Sequence, residues 1–301
     1  MTSTPLVTVL INNFNYGRFL REAIDSALNQ TFRNVEVVVV DDGSTDESRE
    51  IIASYGDSIV SVLKENGGQA SAFNAGFAAS RGDIICLLDS DDEFYPDKIE
   101  RLIPYSQPGS ILYHRLQVKP GSGVIPRETV CRMNFQRYAR QYRFLPYVGS
   151  PTSGIAIRRD LALRLIPLPT RHVRSSADDF VVRGAALLGQ VIAIPDVLGS
   201  YRIHGENQWY GKPNRKSREF MGELERYLNQ KLVEAGGEAV IDFYHSIYAR
   251  DFIPQNAAEL ASLAVCVFRH HADLVTLKFM LGTLARAGWR TISPSAAWSC
   301  P

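Results

Sequence analysis

The sequence predicts an α/β fold, an open, mostly parallel sheet flanked by helices, with a helical extension at its C-terminal end. Short apolar runs alternate with amphipathic stretches through residues 7–88. Two of those runs, residues 35–40 and 84–88, are apolar almost throughout, as strands buried on both faces are. From about Lys216 onward the pattern turns helical, with a break at Pro254.

Each element has its own signal. Residues 7–11 are a short β-rich run. A helix follows over about residues 18–28, where Phe19, Ala23, Ile24, Ala27 and Leu28 share a face. After the run at 35–40, Asp42-Gly43-Ser44 turns the chain into a helix over about residues 46–55. Residues 59–63 form a third strand, residues 69–80 a helix preceded by Gly67-Gly68, and residues 84–88 a fourth strand. Strand and helix in alternation, with short links, give parallel neighbours and right-handed crossovers. The second half is less regular. Strands are expected at 111–118 and 154–157, a helix at 178–188, and extended stretches at 191–194 and 197–201.

Composition narrows the function classes. Of 301 residues, 33 are Lys or Arg and 32 are Asp or Glu, a net charge of +1. That balance lacks the basic excess of nucleic-acid binders, so no nucleic-acid partner is expected. Cys86, Cys131, Cys266 and Cys300 form no C-x-x-C pair, which argues for reduced thiols over a disulfide framework or zinc site. The first residues lack a basic stretch followed by an apolar one, and no apolar run approaches the ~18 residues of a spanning helix. A cytoplasmic location is the expectation.

In an open parallel sheet the ligand sits at the carboxyl ends of the strands. After the first strand stands Asn12-Asn13-Phe14-Asn15, an aromatic face with amides, suited to stacking and hydrogen-bonding a nucleobase. No G-x-G-x-x-G follows that strand, against a dinucleotide-binding dehydrogenase. A sugar nucleotidyltransferase would need a glycine-rich basic loop there, and none is present. After the second strand stands Asp41-Asp42-Gly43-Ser44. A helix-capping turn would explain it, but two adjacent carboxylates repel. A bound base or ribose would relieve them. After the fourth strand stands Asp89-Ser90-Asp91-Asp92-Glu93, four acids in five residues. Hard divalent cations take such oxygen ligands together with substrate phosphates, and Asp89 and Asp91 share a side in extended backbone.

The stretches VTVLINNFNYGRFLREAIDSALNQTF, VEVVVVDDGSTDES, ENGGQASAFNAGFAASRGDIICLLDSDDEFYPDKI, PTSGIAIRR, ADDFVVRGAALLG and LGSYRIHGENQ run from Val7 to about Gln208. Together they resemble the family 2 glycosyltransferases, inverting enzymes of the GT-A fold. The resemblance implies a nucleoside-diphosphate sugar donor, a glycan or lipid-linked glycan acceptor, and Mn²⁺ or Mg²⁺. It implies donor contacts from Asn12, Phe14, Asp42, Gly67, Gly68, Gln69, Asn74, Asp89 and Ser90, with Phe14 stacking on the base. Asp89 and Asp91 match the DXD pair, Asp91 as direct metal ligand. Many members carry Arg where this chain has Phe73, so the resemblance does not carry a phosphate contact over to that position. The general base falls on the pair Asp178-Asp179, where counting back from Gly184-Ala185-Ala186 favours Asp178. His204, in Tyr201-Arg202-Ile203-His204, lies in the segment that closes over the donor, within reach of diphosphate or metal. A catalytically silent sugar-nucleotide-binding or scaffold protein is the competing reading, although such a protein should have lost the metal acids or the base.

On this reading residues 1–118 are the nucleotide-sugar-binding half, 119–212 the acceptor and catalytic half, and 213–301 a helical extension. Arg137, Arg140 and Arg143 recur at helical spacing with Tyr138, Tyr142 and Tyr147 among them, as an amphipathic solvated helix or a lid toward a phosphate-bearing acceptor. Leu260, Leu263, Ala264 and Val267, then Leu274, Leu277, Leu281 and Leu284, form apolar stripes. These stripes suit packing on the catalytic domain, a homodimer interface, or peripheral contact with the inner face of the membrane.

Overall fold

The computed structural model describes residues 4–126, 135–143, 145, 147, 149–207 and 218–242. The chain begins β1 (Val7–Asn13), α1 (Gly17–Leu28), β2 (Val35–Asp41), α2 (Ser48–Ala53), β3 (Val60–Leu63), α3 (Gln69–Ala79) and β4 (Ile84–Asp89). It continues with β5 (Glu93–Phe94), α4 (Lys98–Leu102), β6 (Ser110–Lys119), β7 (Val124–Ile125) and α5 (Phe135–Tyr142). Then come β8 (Ile155–Arg158), α6 (Arg159–Leu165), α7 (Ala177–Leu188), β9 (Gln190–Arg202) and α8 (Arg218–Glu234). The apolar stripes of residues 260–284 lie outside the described residues.

One sheet runs in the order β3-β2-β1-β4-β8-β6-β9-β5, with β7 on the side of β6. Its first four strands are parallel, as the alternating pattern requires. Beyond β4 the sheet is mixed: β8 runs antiparallel to β4 and β6, while β6 and β9 are parallel. Antiparallel neighbours need no helical crossover, so the second half of the sequence loses the strand–helix rhythm. The two extended stretches expected at 191–194 and 197–201 are one strand, β9, with register shifts against β6.

Alternation along the central strands divides the core. Val9, Ile11, Val37 and Val39 face α1, α2 and α4 through Leu20, Ile24, Ile52, Ile99 and Leu102. Leu10, Val38 and Val40 face the opposite layer, where Phe73 and Phe77 of α3 and Phe180 of α7 are buried. Each such side chain contributes ~1.5–3 kcal/mol on burial. Gly76 lets α3 lie close on β1, because a Cβ there would fall 2.3 Å from a Leu10 methyl. On α5, Phe135 and Ala139 are buried while Arg137 and Arg140 are exposed, as the amphipathic spacing requires. No helix among the described residues is long and apolar enough to cross a membrane.

Candidate active site

Parallel register brings the three strand ends together. Asn13 pairs with Asp41 across β1 and β2, and Asn12 with Asp89 across β1 and β4. The side chains follow: Asn12 Nδ2 donates to Asp89 Oδ1 at 3.1 Å, and Asn13 Nδ2 to Asp41 Oδ1 at 3.1 Å. Asp41 also accepts from the Ser44 amide (3.1 Å) and Arg49 Nε (2.8 Å). Burial pushes its carboxyl up, but bonds from Ser44, Arg49 and Asn13 outweigh that and hold it below the usual range. Asp41 is thus the structural acid of the pair. Phe14 is 44% exposed beside this turn, an open aromatic face at the mouth of the site.

Asp42 takes a different set of donors. Its Oδ1 accepts from Lys64 Nζ (2.6 Å) and the Gly67 amide (3.0 Å), and its Oδ2 from the Gly68 amide (2.7 Å). Asp42 therefore shapes the Gly67-Gly68 turn. Gly68 has φ +84°, and a Cβ there would lie 2.7 Å from Arg174 Cα, so the turn seats directly on the loop before α7. The next residue completes that junction: the Gln69 amide donates to Arg174 O at 3.0 Å, and Gln69 Oε1 accepts from the Ala177 amide at 2.8 Å. Asn74 clamps the same loop further on, donating to Leu168 O (2.9 Å) and accepting from its amide (2.7 Å).

The acidic loop after β4 is the electrostatic centre. Carboxylate oxygens of Asp89, Asp91 and Asp92 lie within 4.8 Å of one another. Burial, then the charges of Asp91, Asp92 and Asp178, pushes the Asp89 carboxyl well above the usual range. Burial and Asp91 do the same to Asp92. Asp92 is held on both oxygens, by Ser153 Oγ at 2.6 Å and the Arg202 amide at 2.8 Å. Ser90 is buried between them. Three crowded carboxylates, two of them pushed up by burial and mutual charge, suit a hard divalent cation, and the donor set is oxygen-rich as Mg²⁺ and Mn²⁺ require.

The chain after β9 folds over this loop. His204 Nε2 lies 2.9 Å from Asp91 Oδ2, and its ring packs against Phe19 (5.0 Å) and Tyr16 (5.5 Å between centroids). Burial and the Asp91 charge push the Tyr16 phenol up to about 12, so it stays protonated. Arg202 fixes the approach: Nε donates to Asp91 O (3.0 Å), and Nη2 pairs with Glu93 (3.3 Å) and with Glu22 of α1.

At the N-terminal end of α7 the two adjacent acids part company. Asp179 is fully buried and paired with Arg183, Nε to Oδ1 at 2.7 Å. Asp178 is half-buried, its charge reaches Asp89, and its Oδ2 accepts from Tyr147 Oη at 3.1 Å.

Comparison with known proteins names the family. Residues 8–165 match the model of glycosyl transferase family 2. Over 264 residues the chain is 32% identical to an uncharacterised glycosyltransferase of Nostoc sp., covering 81% of each chain. The chain is a family 2 glycosyltransferase. A Rickettsia prowazekii glycosyltransferase is 49% identical over 100 residues, about a third of either protein (33% and 31%). Among solved structures, Staphylococcus aureus TarS 1-349 in complex with UDP superposes with TM-score 0.57 at 19% identity, over 92% of this chain and 75% of that one. The mannosyltransferase PcManGT of Pyrobaculum calidifontis, in complex with GDP-Man and Mn²⁺, gives TM-score 0.53 at 18% identity, over 98% and 89%. The fold is the GT-A fold of these neighbours.

Two groups of this glycosyltransferase's site escape a reading by strand ends. Lys98 is fully buried under the acidic loop, with Nζ 3.1 Å from Ser153 O and 3.0 Å from the Phe94 ring centroid. Tyr16 stands one turn past the first strand end, and only the folded closing segment brings His204 to it. The signal for Lys98 is slight: it follows the acidic run after Phe94-Tyr95-Pro96-Asp97, where a lone lysine at the start of a short helix reads as solvated surface.

Proposed function

We propose that this glycosyltransferase moves one sugar from a nucleoside-diphosphate sugar to an acceptor hydroxyl with inversion, Asp178 acting as general base. The observation that carries this is the split fate of the two acids opening α7. Asp179 is neutralised by Arg183 in the core, whereas Asp178 is half-buried and electrostatically coupled to Asp89. A base for this displacement must reach the incoming hydroxyl on the face of the anomeric carbon opposite the leaving group, near enough to the donor site for its charge to be felt there.

Phe14 offers a stacking face for the base, and the Asp42-supported Gly67-Gly68 turn lines the donor side. Asp89 and Asp91 would hold Mn²⁺ or Mg²⁺, with His204 beside Asp91. When bound, such an ion offsets the charge of the departing diphosphate. Asp178 takes the acceptor proton while the acceptor oxygen bonds to the anomeric carbon and the bond to the diphosphate oxygen breaks. A single displacement from the face opposite the leaving group inverts the anomeric configuration, with no covalent enzyme intermediate. The acceptor class that suits the reading is a glycan or lipid-linked glycan, in polysaccharide or glycoconjugate biosynthesis at the cytoplasmic face of the membrane.

Asp178→Asn and Asp179→Asn test the reading. Asp178→Asn is expected to keep nucleoside-diphosphate binding and fold, yet lose transfer by roughly 10²–10⁴, the scale of general-base catalysis. Asp179→Asn is expected to lower the melting temperature, because it leaves Arg183 buried without its charge partner. Parental turnover in Asp178→Asn, or a product of retained anomeric configuration, would falsify the proposal.

A further inference from the structure

We propose that Tyr147 is the positioning residue for the base, holding the Asp178 carboxylate by Oδ2 from a hydroxyl that also lies against the Ser150 carbonyl. The inference rests on Asp178 being the base. Tyr147 Oη lies 3.1 Å from Asp178 Oδ2 and 2.8 Å from Ser150 O. Both are acceptors when Asp178 is ionised, and a phenol has one proton. The carboxylate is the stronger acceptor because it is charged. Before the reaction, then, the proton belongs on the Asp178 side, where it fixes the tilt of the carboxylate on a helix end that no side chain of Ser176 caps.

The acceptor's proton goes to the carboxyl oxygen that Tyr147 does not hold. Oδ2 is then the carbonyl oxygen of the neutral acid and still accepts from Tyr147 Oη, so the bond persists through the step while weakening as the charge is lost. The phenol itself does not ionise. Burial, the Asp178 charge and its hydrogen bond push Tyr147 well above the usual phenol range, Arg183 opposing and Asp89 adding slightly. Tyr147 thus serves as a donor to the carboxylate rather than as a second base.

The test is steady-state kinetics of the full chain with Tyr147→Phe, which keeps the ring and removes only the hydroxyl. The expected result is a kcat lower by on the order of tenfold, the donor KM unchanged, and the acid limb of kcat/KM moved up by roughly one pH unit. The sign follows from the bond: a carboxylate that loses a donor holds its proton more tightly, so it becomes a working base only at higher pH. A 3-fluorotyrosine at position 147, a stronger donor of nearly the same shape, is expected to move that limb down. Parental kcat and an unmoved limb in Tyr147→Phe, or a lowered melting temperature with the limb unmoved in both variants, overturn the proposal and leave the base untouched. Parental turnover in Asp178→Asn overturns the base itself, which separates the two failures.

Discussion

Single residues in this site owe their chemistry to what their neighbours take from them. Asp41 and Asp42 are alike in sequence, yet the first is anchored by Asn13, Ser44 and Arg49 and the second by a lysine and two glycine amides. The sequence shows two acids at a strand end. Their division needs the side-chain partners, which come from residues up to 28 positions away. Lys98 is the sharpest residue-scale case. Burial pushes its ammonium down to about 7, with Cys86 and Asp92 opposing. The folded state therefore releases this proton near neutrality, whereas the unfolded chain keeps it to about 10.4. Between pH 7 and 9 the unfolded state binds more protons, so this group makes stability rise with pH, by about 1.4 kcal/mol per unit at most. Lys98→Met, which keeps the stem and removes the ammonium, is expected to lose that slope. Denaturant unfolding of parent and variant at pH 7, 8 and 9 checks it, and parallel stability profiles would refute the buried, weakened lysine.

Elements were legible where apolar periodicity was unbroken. β1, β2, β4, α1 and α3 fall within a few residues of their expected bounds because each must match one layer of a parallel sheet. The short β5, α4 and α6 were not foreseen: five or seven residues of helix, or two of strand, carry too little periodicity to register. α7 was foreseen, but not what holds its start. Ser176, the N-cap, has φ +59° and makes no side-chain cap, and Gln69 from the other half of the chain accepts from the Ala177 amide instead. This cap joins the Gly67-Gly68 turn to the helix whose first turn carries Asp178. Replacing Gln69 by Ala leaves an amide of the first turn unmet, at a cost of ~0.5–2 kcal/mol. The expected outcome is a lower melting temperature together with slower transfer, since the helix end carrying Asp178 loosens. Gln69→Glu keeps an acceptor oxygen and is expected to restore stability. If both variants match the parent in melting and in turnover, the cap has no part in ordering the helix.

At the scale of the molecule, the site belongs to no one half of the chain. Asn12 and Asp89 come from the parallel strands, Asp42 from the turn after β2, Asp178 from α7, and His204 from the chain after β9. These candidates were read from the whole set of motifs rather than from any one spacing. The same gathering of acids sets how the folded protein answers to pH and metal. Asp89 and Asp92 are held well above the usual carboxylate range by burial and by the neighbouring acids. A carboxyl raised on folding stabilises the protein while protonated, and that contribution is lost as pH rises through the folded pKa. A divalent cation bound by these acids must displace their protons, so its affinity and its stabilisation grow over the same interval. Melting temperatures with and without millimolar Mn²⁺ or Mg²⁺ at pH 5.5 and 7.5 read this directly. The expected increment is clearly larger at pH 7.5, and it vanishes in Asp91→Asn, which removes one charged ligand oxygen without changing shape. An equal increment at both pH values, or one that survives in Asp91→Asn, means that the cation binds elsewhere and that the acid cluster meets its charge by holding protons.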